Sequence, residues 1–213
     1  MSGAKKRGAA AQRTGWRQGQ SFGYRSGMTR VFLARHAEPA KSAEVQHTNW
    51  PLSRYGRNQA DYLGERLQAF APLRVVSGPA LRCKESAEFA AKRLGVPVKV
   101  DPRVGGVAPP RETSDVYAWL SRAFTVHPST QWDALGADVI KWRNENVQAI
   151  SELKEDTVVF THFGNINAIM SAALRVESTV VCRPDYASIT EFSLVNGGIR
   201  LVMHGTEIKG PNE

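Results

Sequence analysis

The sequence lacks any apolar run long enough to cross a bilayer, and it has only two cysteines among its 213 residues. A membrane-spanning helix needs about 20 consecutive, mainly apolar residues, so a membrane protein is not indicated. Cys83 and Cys182 stand far apart in the chain, without the close spacing of zinc ligands or the density of a disulfide framework. Because no secretory signal is visible, we expect reduced thiols and a cytoplasmic protein.

Acidic residues are missing from residues 1–27, which carry six basic side chains. These six account for most of the formal net charge of +8 and leave +2 for residues 28–213. The segment has few large apolar residues, so it cannot bury enough surface to offset the entropy cost of ordering. We predict a disordered basic tail over residues 1–27 and one folded domain over residues 28–213. Nucleic-acid contact by the tail is the least favoured hypothesis, because the rest of the chain is nearly balanced in charge.

After the tail, short β-branched runs alternate with amphipathic stretches. Strands are predicted at Val31–Ala34, Arg74–Ser77, "VPVKVDP" and "DTVVFTH", and a closing hairpin at "SITEFSLV-NGG-IRLVMH". Helices are predicted after a Ser53 cap, at Ala80–Leu94, Asp115–Phe124, Asp133–Leu153 (with Thr130 and Asp133 at capping-box spacing) and "NINAIMSAAL". This alternation predicts an α/β fold, a three-layer sandwich with a mostly parallel mixed sheet flanked by helices.

Polar side chains follow three of the predicted parallel strands. The first strand ends in Arg35 and His36, the second leads into a helix with Arg82 in its first turn, and "DTVVFT" is followed by His162. Ligands of open α/β sheets bind at the carboxyl ends of the strands. We therefore expect two imidazoles and two guanidiniums to meet in one cleft.

This set of side chains is typical of an anion pocket with a nucleophile. Guanidinium groups bind phosphate bidentately, and a neutral histidine can attack phosphorus to form a phosphohistidine. The surrounding cations would stabilise the oxygens of the phosphoryl group in transfer. We expect no metal and no cofactor, because no carboxylate cluster with ligand spacing is visible.

Four motifs in order, "LARHAEP", "LSRYGRNQA", "VVSGPALRCKESAE" and "VVFTHFGNINA", resemble those of the histidine phosphatase superfamily, which has the phosphoglycerate mutase-like fold. The resemblance runs from about Val31 to Thr206. It implies His36 as the phosphorylated nucleophile, Arg35 and Arg82 as phosphate clamps, and His162 as the second histidine that binds the phosphoryl oxygens.

The chain departs from the pattern of the family at two single residues and at one pair of glycines. Ser86 stands where threonine is frequent, with a role expected in helix packing, and Phe163 stands where many members have glycine. Gly105 and Gly106 stand where the family commonly has a glutamate that protonates the leaving oxygen. A general acid contributes about 10²–10⁴-fold in rate, so its absence would matter.

Glu112, Asp115 and Glu38 are the candidates for a substitute acid, and none of them is favoured by the sequence. The leading hypothesis is a metal-independent phosphatase that hydrolyses a phosphorylated small molecule through phospho-His36. The alternative is a catalytically impaired relative that binds phosphorylated ligands without the general acid. The sequence carries no code for the substrate or for the oligomeric state.

Overall fold

The computed structural model describes residues 28–71, 73–125 and 130–206. Within these ranges the chain forms a six-stranded sheet and five α-helices. The predicted tail over residues 1–27 lies outside the described residues. Its disorder and the domain boundary at residue 28 therefore stay predictions.

The elements follow the predicted order. The strands are β1 (Thr29–Arg35), β2 (Arg74–Ser77), β3 (Val98–Val100), β4 (Thr157–Thr161), β5 (Ile189–Val195) and β6 (Gly198–Met203). The α-helices are α1 (Arg54–Leu67), α2 (Leu81–Leu94), α3 (Val116–Ala123), α4 (Ala137–Ser151) and α5 (Phe163–Leu174).

The sheet is mixed and mostly parallel. Its strand order is β3-β2-β4-β1-β5-β6. Strands β1 to β4 pair in parallel, whereas β5 runs antiparallel to both β1 and β6. The antiparallel pair closes the described part of the chain, as the sequence predicts.

Two apolar layers form because successive side chains of a strand point to opposite faces. In β1, Val31 and Leu33 pack into one core with residues of α4 and α5. Phe32 and Ala34 pack into the other core with residues of α1 and α2. Helices thus cover both faces of the central strands, and the predicted three-layer sandwich is confirmed.

Local signals explain several element ends. Ser53 caps α1, and its Oγ accepts a hydrogen bond from the backbone N–H of Gly56 at 2.9 Å, as predicted. The β5–β6 turn has Asn196 at φ 50° and Gly197 at φ 76°. Both residues tolerate this left-handed backbone, which matches the twist of a tight hairpin.

The predicted start of α4 is wrong. Asp133–Leu135 form a separate 3₁₀ turn, and α4 begins at Ala137 after Gly136. The Thr130 hydroxyl donates instead to the backbone oxygen of Arg122 at 2.9 Å. Thr130 and Asp133 therefore form no capping box, although their spacing suits one, and Thr130 instead contacts the backbone of Arg122.

Candidate active site

Three parallel strands end beside one another and bring the four predicted residues together. Arg35 at the end of β1 pairs with Thr161 at the end of β4. The backbone N–H of His36 donates to the Thr161 oxygen at 2.9 Å. His162 follows Thr161 directly, and the two imidazole centroids lie 5.1 Å apart. A parallel register thus places two histidines, distant in sequence, in ring contact.

His36 is held in one orientation by its own backbone. Its Nδ1 lies 2.8 Å from the Ala37 carbonyl oxygen, which can only accept a hydrogen bond. Nδ1 therefore carries the proton, and Nε2 presents a lone pair. The side chain is only 6% exposed, so Nε2 has a fixed position in a buried ring.

Arg82 joins the two histidines. Its Nε donates to His36 Nε2 at 3.1 Å, and its Nη2 lies 3.3 Å from His162 Nδ1. Because a guanidinium only donates, His162 Nδ1 accepts and His162 Nε2 carries the proton. That Nε2 lies 3.5 Å from Cys83 Sγ. Burial raises the pKa of Cys83 to about 12, so the sulfur faces the ring as a neutral thiol.

Arg35 lies on the other side of His36. Its Nη1 donates to the Pro184 oxygen at 2.9 Å, and its guanidinium carbon lies 4.0 Å from the ring centre of Tyr186. Phe163 approaches the same group at 5.6 Å. The Nε of Arg35 is buried and has no hydrogen-bond partner within the described ranges. A buried donor without a partner costs free energy, and an anion bound beside it would remove that cost.

Burial and positive charge keep both histidines neutral. The pKa of His36 lies well below its ordinary value, first because of burial and then because of its electrostatic interactions with His162 and with the positive charge of Arg82. The pKa of His162 is also well below its ordinary value, through burial and then the charges of Arg82 and Arg35. Burial lowers the pKa of each arginine as well, but guanidinium stays charged at neutral pH. The site therefore combines two neutral imidazoles with two cations.

Ser86 connects the first strand end to α2. Its Oγ accepts from the Ala37 N–H at 3.0 Å and donates to the Arg82 oxygen at 2.7 Å. The side chain is fully buried. It therefore fixes the peptide that orients His36, which is more than the packing role expected from the sequence.

The three candidate acids lie in different surroundings. The Glu38 carboxylate accepts from the Ser53 hydroxyl at 2.7 Å, beside the start of α1. Asp115 caps α3 through the Ala118 N–H at 2.9 Å and is exposed. Glu112 is exposed on the loop before α3. None of them forms a hydrogen bond to either histidine among the described contacts.

Gly105 and Gly106 lie at the site, where the family commonly has a glutamate. A Cβ built on Gly106 would lie 3.2 Å from His162 Cδ2 and 3.4 Å from Nε2. The Gly105 oxygen accepts from Trp142 Nε1 and Asn165 Nδ2 at 2.9 and 2.8 Å. The loop thus passes beside His162, and Gly106 brings no side chain to this part of the imidazole.

Sequence reasoning missed the residues at the edge of the site. The His47 oxygen accepts from Arg82 Nη1 at 2.5 Å and from the Trp50 N–H at 3.5 Å. Trp50 stacks on Tyr117, with ring centres 5.9 Å apart, and Tyr186 lies 5.6 Å from the His36 ring. These residues lie in irregular loops or at element ends, where no periodic signal identifies them.

The described ranges contain neither a cluster of metal-binding side chains nor a membrane-spanning helix. No group of three or more histidine, cysteine, aspartate or glutamate side chains is placed to hold a metal ion. None of the helices there is long and apolar enough to cross a bilayer. Cys83 and Cys182 are both buried and are not joined in a disulfide.

The sheet, the two histidines and the two arginines define a phosphohydrolase-like α/β class, and the family follows from the sequence profile. The profile of the histidine phosphatase superfamily (branch 1) matches residues 31–207. The chain belongs to this superfamily, as the motifs predicted.

A curated relative matches only part of the chain. The probable phosphoglycerate mutase GpmB of Salmonella paratyphi C (strain RKS4594) is 31% identical over 80 residues. The match covers 36% of this chain and 37% of the relative. The chain thus matches little more than a third of the length of this relative.

Solved structures support the fold over most of the chain. A mycobacterial glucosyl-3-phosphoglycerate phosphatase has a TM-score of 0.64 and 20% identity, and covers 84% of this chain and 100% of its own. The phosphoserine phosphatase of Entamoeba histolytica, solved with 3-phosphoglyceric acid, has a TM-score of 0.65 and 17% identity. It covers 85% of this chain and 98% of its own. At these identities the likeness is one of fold.

Proposed function

We propose that the protein is a phosphatase that hydrolyses a phosphomonoester of a small molecule through a phosphohistidine on His36. The observation that carries the proposal is the orientation of His36. Its Nδ1–H is held by the Ala37 oxygen, so Nε2 faces Arg82 and His162 with a lone pair. A family of phosphatases and mutases and solved neighbours with phosphate ligands support the same class of substrate.

The first step forms a bond between His36 Nε2 and phosphorus and breaks the bond to the leaving oxygen, which keeps the electron pair. Arg82 must turn its donors from the two ring nitrogens to the phosphoryl oxygens. The unpartnered Nε of Arg35 supplies a further donor, and the Nε2–H of His162 becomes available once the ring contacts phosphate. These groups stabilise the equatorial oxygens during transfer.

The second step returns the free enzyme. Water adds its oxygen to phosphorus, the nitrogen–phosphorus bond breaks, and inorganic phosphate leaves. No resident cofactor takes part in this sequence. We include a cytoplasmic location in the proposal, because Cys83 and Cys182 are buried and not joined in a disulfide, as expected of a reducing compartment.

The test is chemical trapping of the intermediate. A phosphate ester labelled at phosphorus should leave acid-labile label on the wild-type protein, and His36→Ala should lose both the label and turnover. His204→Ala is the control, because His204 is exposed and follows a strand two positions away from β1. Turnover that survived His36→Ala would contradict the proposal.

A second candidate function is binding of phosphorylated ligands without turnover. The observation in its favour is Gly106, which leaves the position beside His162 without an acid. This reading predicts saturable phosphate binding, measured by calorimetry, that Arg82→Lys weakens. It also predicts no turnover with any class of phosphate ester. Assays of phosphate release from aryl and alkyl phosphates test this prediction.

A further inference from the structure

None of the candidate acids Glu38, Glu112 and Asp115 forms a hydrogen bond to His36 or His162 among the described contacts. A Cβ built on Gly106 would lie 3.2 Å from His162 Cδ2, so this position beside the imidazole carries no acidic side chain, and carboxylates of neighbouring elements bind other groups. Glu38 binds Ser53 at 2.7 Å, and Glu85 accepts from the Leu52 N–H at 2.6 Å. Asp115 caps α3. A leaving oxygen beside His162 therefore lies near the guanidinium groups of Arg82 and Arg35, and none of these carboxylates is placed to protonate it.

One side of the site is formed by two stacked aromatic rings. The backbone N–H of Trp50 donates to the same His47 oxygen that accepts from Arg82, whereas the indole Nε1 of Trp50 donates to the Ser42 and Val45 oxygens. Tyr117 lies near enough to Arg82 for the two side chains to interact electrostatically. Trp50 is buried, and Tyr117 stacks on it with an interplanar angle of 16°. Tyr117 remains 54% exposed. An exposed ring fixed by a buried neighbour offers a rigid surface to a planar ligand.

A third ring lies beside His36 and Arg35. Tyr186 lies 5.6 Å from the His36 ring and 4.0 Å from the guanidinium carbon of Arg35. We call Trp50, Tyr117 and Tyr186 the aromatic rim. The rim flanks the two arginines, so a phosphoryl group bound between them carries its ester substituent past aromatic rings.

Resting on the proposed function, we infer that the substrates are phosphomonoesters of aromatic alcohols. Such substrates meet both features of the site. A phenolic oxygen, with a pKa of about 10, is a far weaker base than an aliphatic alkoxide and leaves with the electron pair without prior protonation. Its ring stacks on the aromatic rim through offset or edge contacts.

The reaction is balanced without an enzymic acid. The bond from His36 Nε2 to phosphorus forms as the bond from phosphorus to the phenolic oxygen breaks. The phenolate takes the electron pair and is then protonated by water. Arg82, already beside His47 at the edge of the site, stabilises the developing negative charge by its own positive charge.

The experiment compares three classes of substrate on the full chain. Phenyl, naphthyl and substituted phenyl phosphates represent aryl esters, and phosphoserine, glycerol phosphate and 3-phosphoglycerate represent alkyl esters. Acetyl phosphate has a good leaving group without a ring. We expect kcat/KM for aryl esters to exceed that for alkyl esters at least about 100-fold, the lower range of a missing general acid. Within the aryl series it should fall as the pKa of the leaving group rises.

Variants of Tyr117 separate stacking from proton donation. Tyr117→Ala should lower kcat/KM for aryl esters about 3- to 10-fold, the range of an aromatic contact, and leave acetyl phosphate unchanged. Tyr117→Phe keeps the ring and should retain wild-type rates. Tyr62→Ala is the matched control, because Tyr62 is exposed on α1 at 62% and should change no rate.

Several outcomes would overturn the inference. Alkyl esters turned over within tenfold of aryl esters would do so, as would an equal loss on aryl esters and acetyl phosphate in Tyr117→Ala. A loss confined to alkyl esters in Glu112→Gln or Tyr117→Phe would identify a proton donor and also overturn it. His36→Ala separates the two proposals: alkyl turnover that depends on His36 removes only the aryl preference, whereas turnover that persists without His36 removes the proposed function itself.

Discussion

At the scale of single residues, the protonation states of His36 and His162 follow from their surroundings. Both rings are buried, and both face the positive charge of Arg82. Each folded-state pKa is therefore depressed below the unfolded value of about 6.5. The folded protein keeps both imidazoles neutral at pH values where the unfolded chain begins to protonate them.

This linkage predicts how stability depends on pH. Below about pH 6.5 the unfolded chain binds protons that the folded chain does not, so the free energy of unfolding falls as pH falls. Each histidine contributes a slope of at most about 1.4 kcal/mol per pH unit. Denaturant unfolding between pH 7.5 and 5 should show a shallower slope in His162→Gln than in the wild type, and an unchanged slope would contradict the prediction.

Arg82→Lys tests the geometry of the guanidinium. Arg82 reaches His36, His162 and the His47 oxygen from three different nitrogens, and a lysine cannot reproduce that planar fork. We expect kcat/KM for an aryl phosphate to fall about 100-fold, the cost of losing a positioned donor to the transition state. Arg93→Lys on the same helix, where Arg93 forms a surface ion pair with Asp61, should remain within twofold of wild type. Equal effects of the two substitutions would refute a specific role for Arg82.

At the scale of elements, the site depends on how α2 is attached to the end of β1. Ser86 makes this attachment through two hydrogen bonds, one to the Ala37 N–H and one to the Arg82 oxygen. The Ala37 peptide in turn orients His36. A residue of helix α2 thus controls the angle of the His36 ring.

Ser86→Ala should therefore affect both stability and rate. The substitution leaves the Ala37 N–H buried without its partner, which costs about 1–3 kcal/mol, and it frees the peptide that holds His36. We expect a lower midpoint of chemical denaturation together with a lower kcat. Ser86→Thr keeps the hydroxyl and should recover kcat. A loss of stability with kcat intact would show that Ser86 serves packing alone.

At the scale of the whole molecule, the sheet, both helical layers and all four predicted site residues lie within residues 28–206. The family match begins at residue 31. The basic segment over residues 1–27 contributes most of the net positive charge and lies outside the described residues.

Removal of residues 1–27 should therefore leave the catalytic domain unchanged. We expect the truncated chain to retain kcat/KM and the midpoint of thermal unfolding. If the segment binds nucleic acid, the full chain should show salt-sensitive binding that the truncated chain lacks, measured by fluorescence anisotropy at two ionic strengths. Loss of activity on truncation would show that the tail belongs to the functional unit.

Much of the architecture was predictable because it rests on local patterns. Alternating apolar residues identify the strands, Ser53 marks the start of α1, and Asn196-Gly197 marks the hairpin. The parallel arrangement then places Arg35, His36 and His162 at one edge. Thr130 shows the limit of such reasoning, because its hydroxyl contacts the Arg122 oxygen in place of a helix end.

The sequence by itself determined the fold class, since strand periodicity is a property of short segments. The family was predicted from the resemblance of four ordered motifs, and the two histidines and two arginines became candidates because they stand in these motifs at or after strand ends. Only the tertiary structure decided that Arg82 bridges both imidazoles, that Gly106 packs against His162, and that the rings of Trp50 and Tyr117 stack beside the site. These contacts join loops and element ends far apart in the chain. Their geometry is set by how the layers pack, which no local pattern encodes.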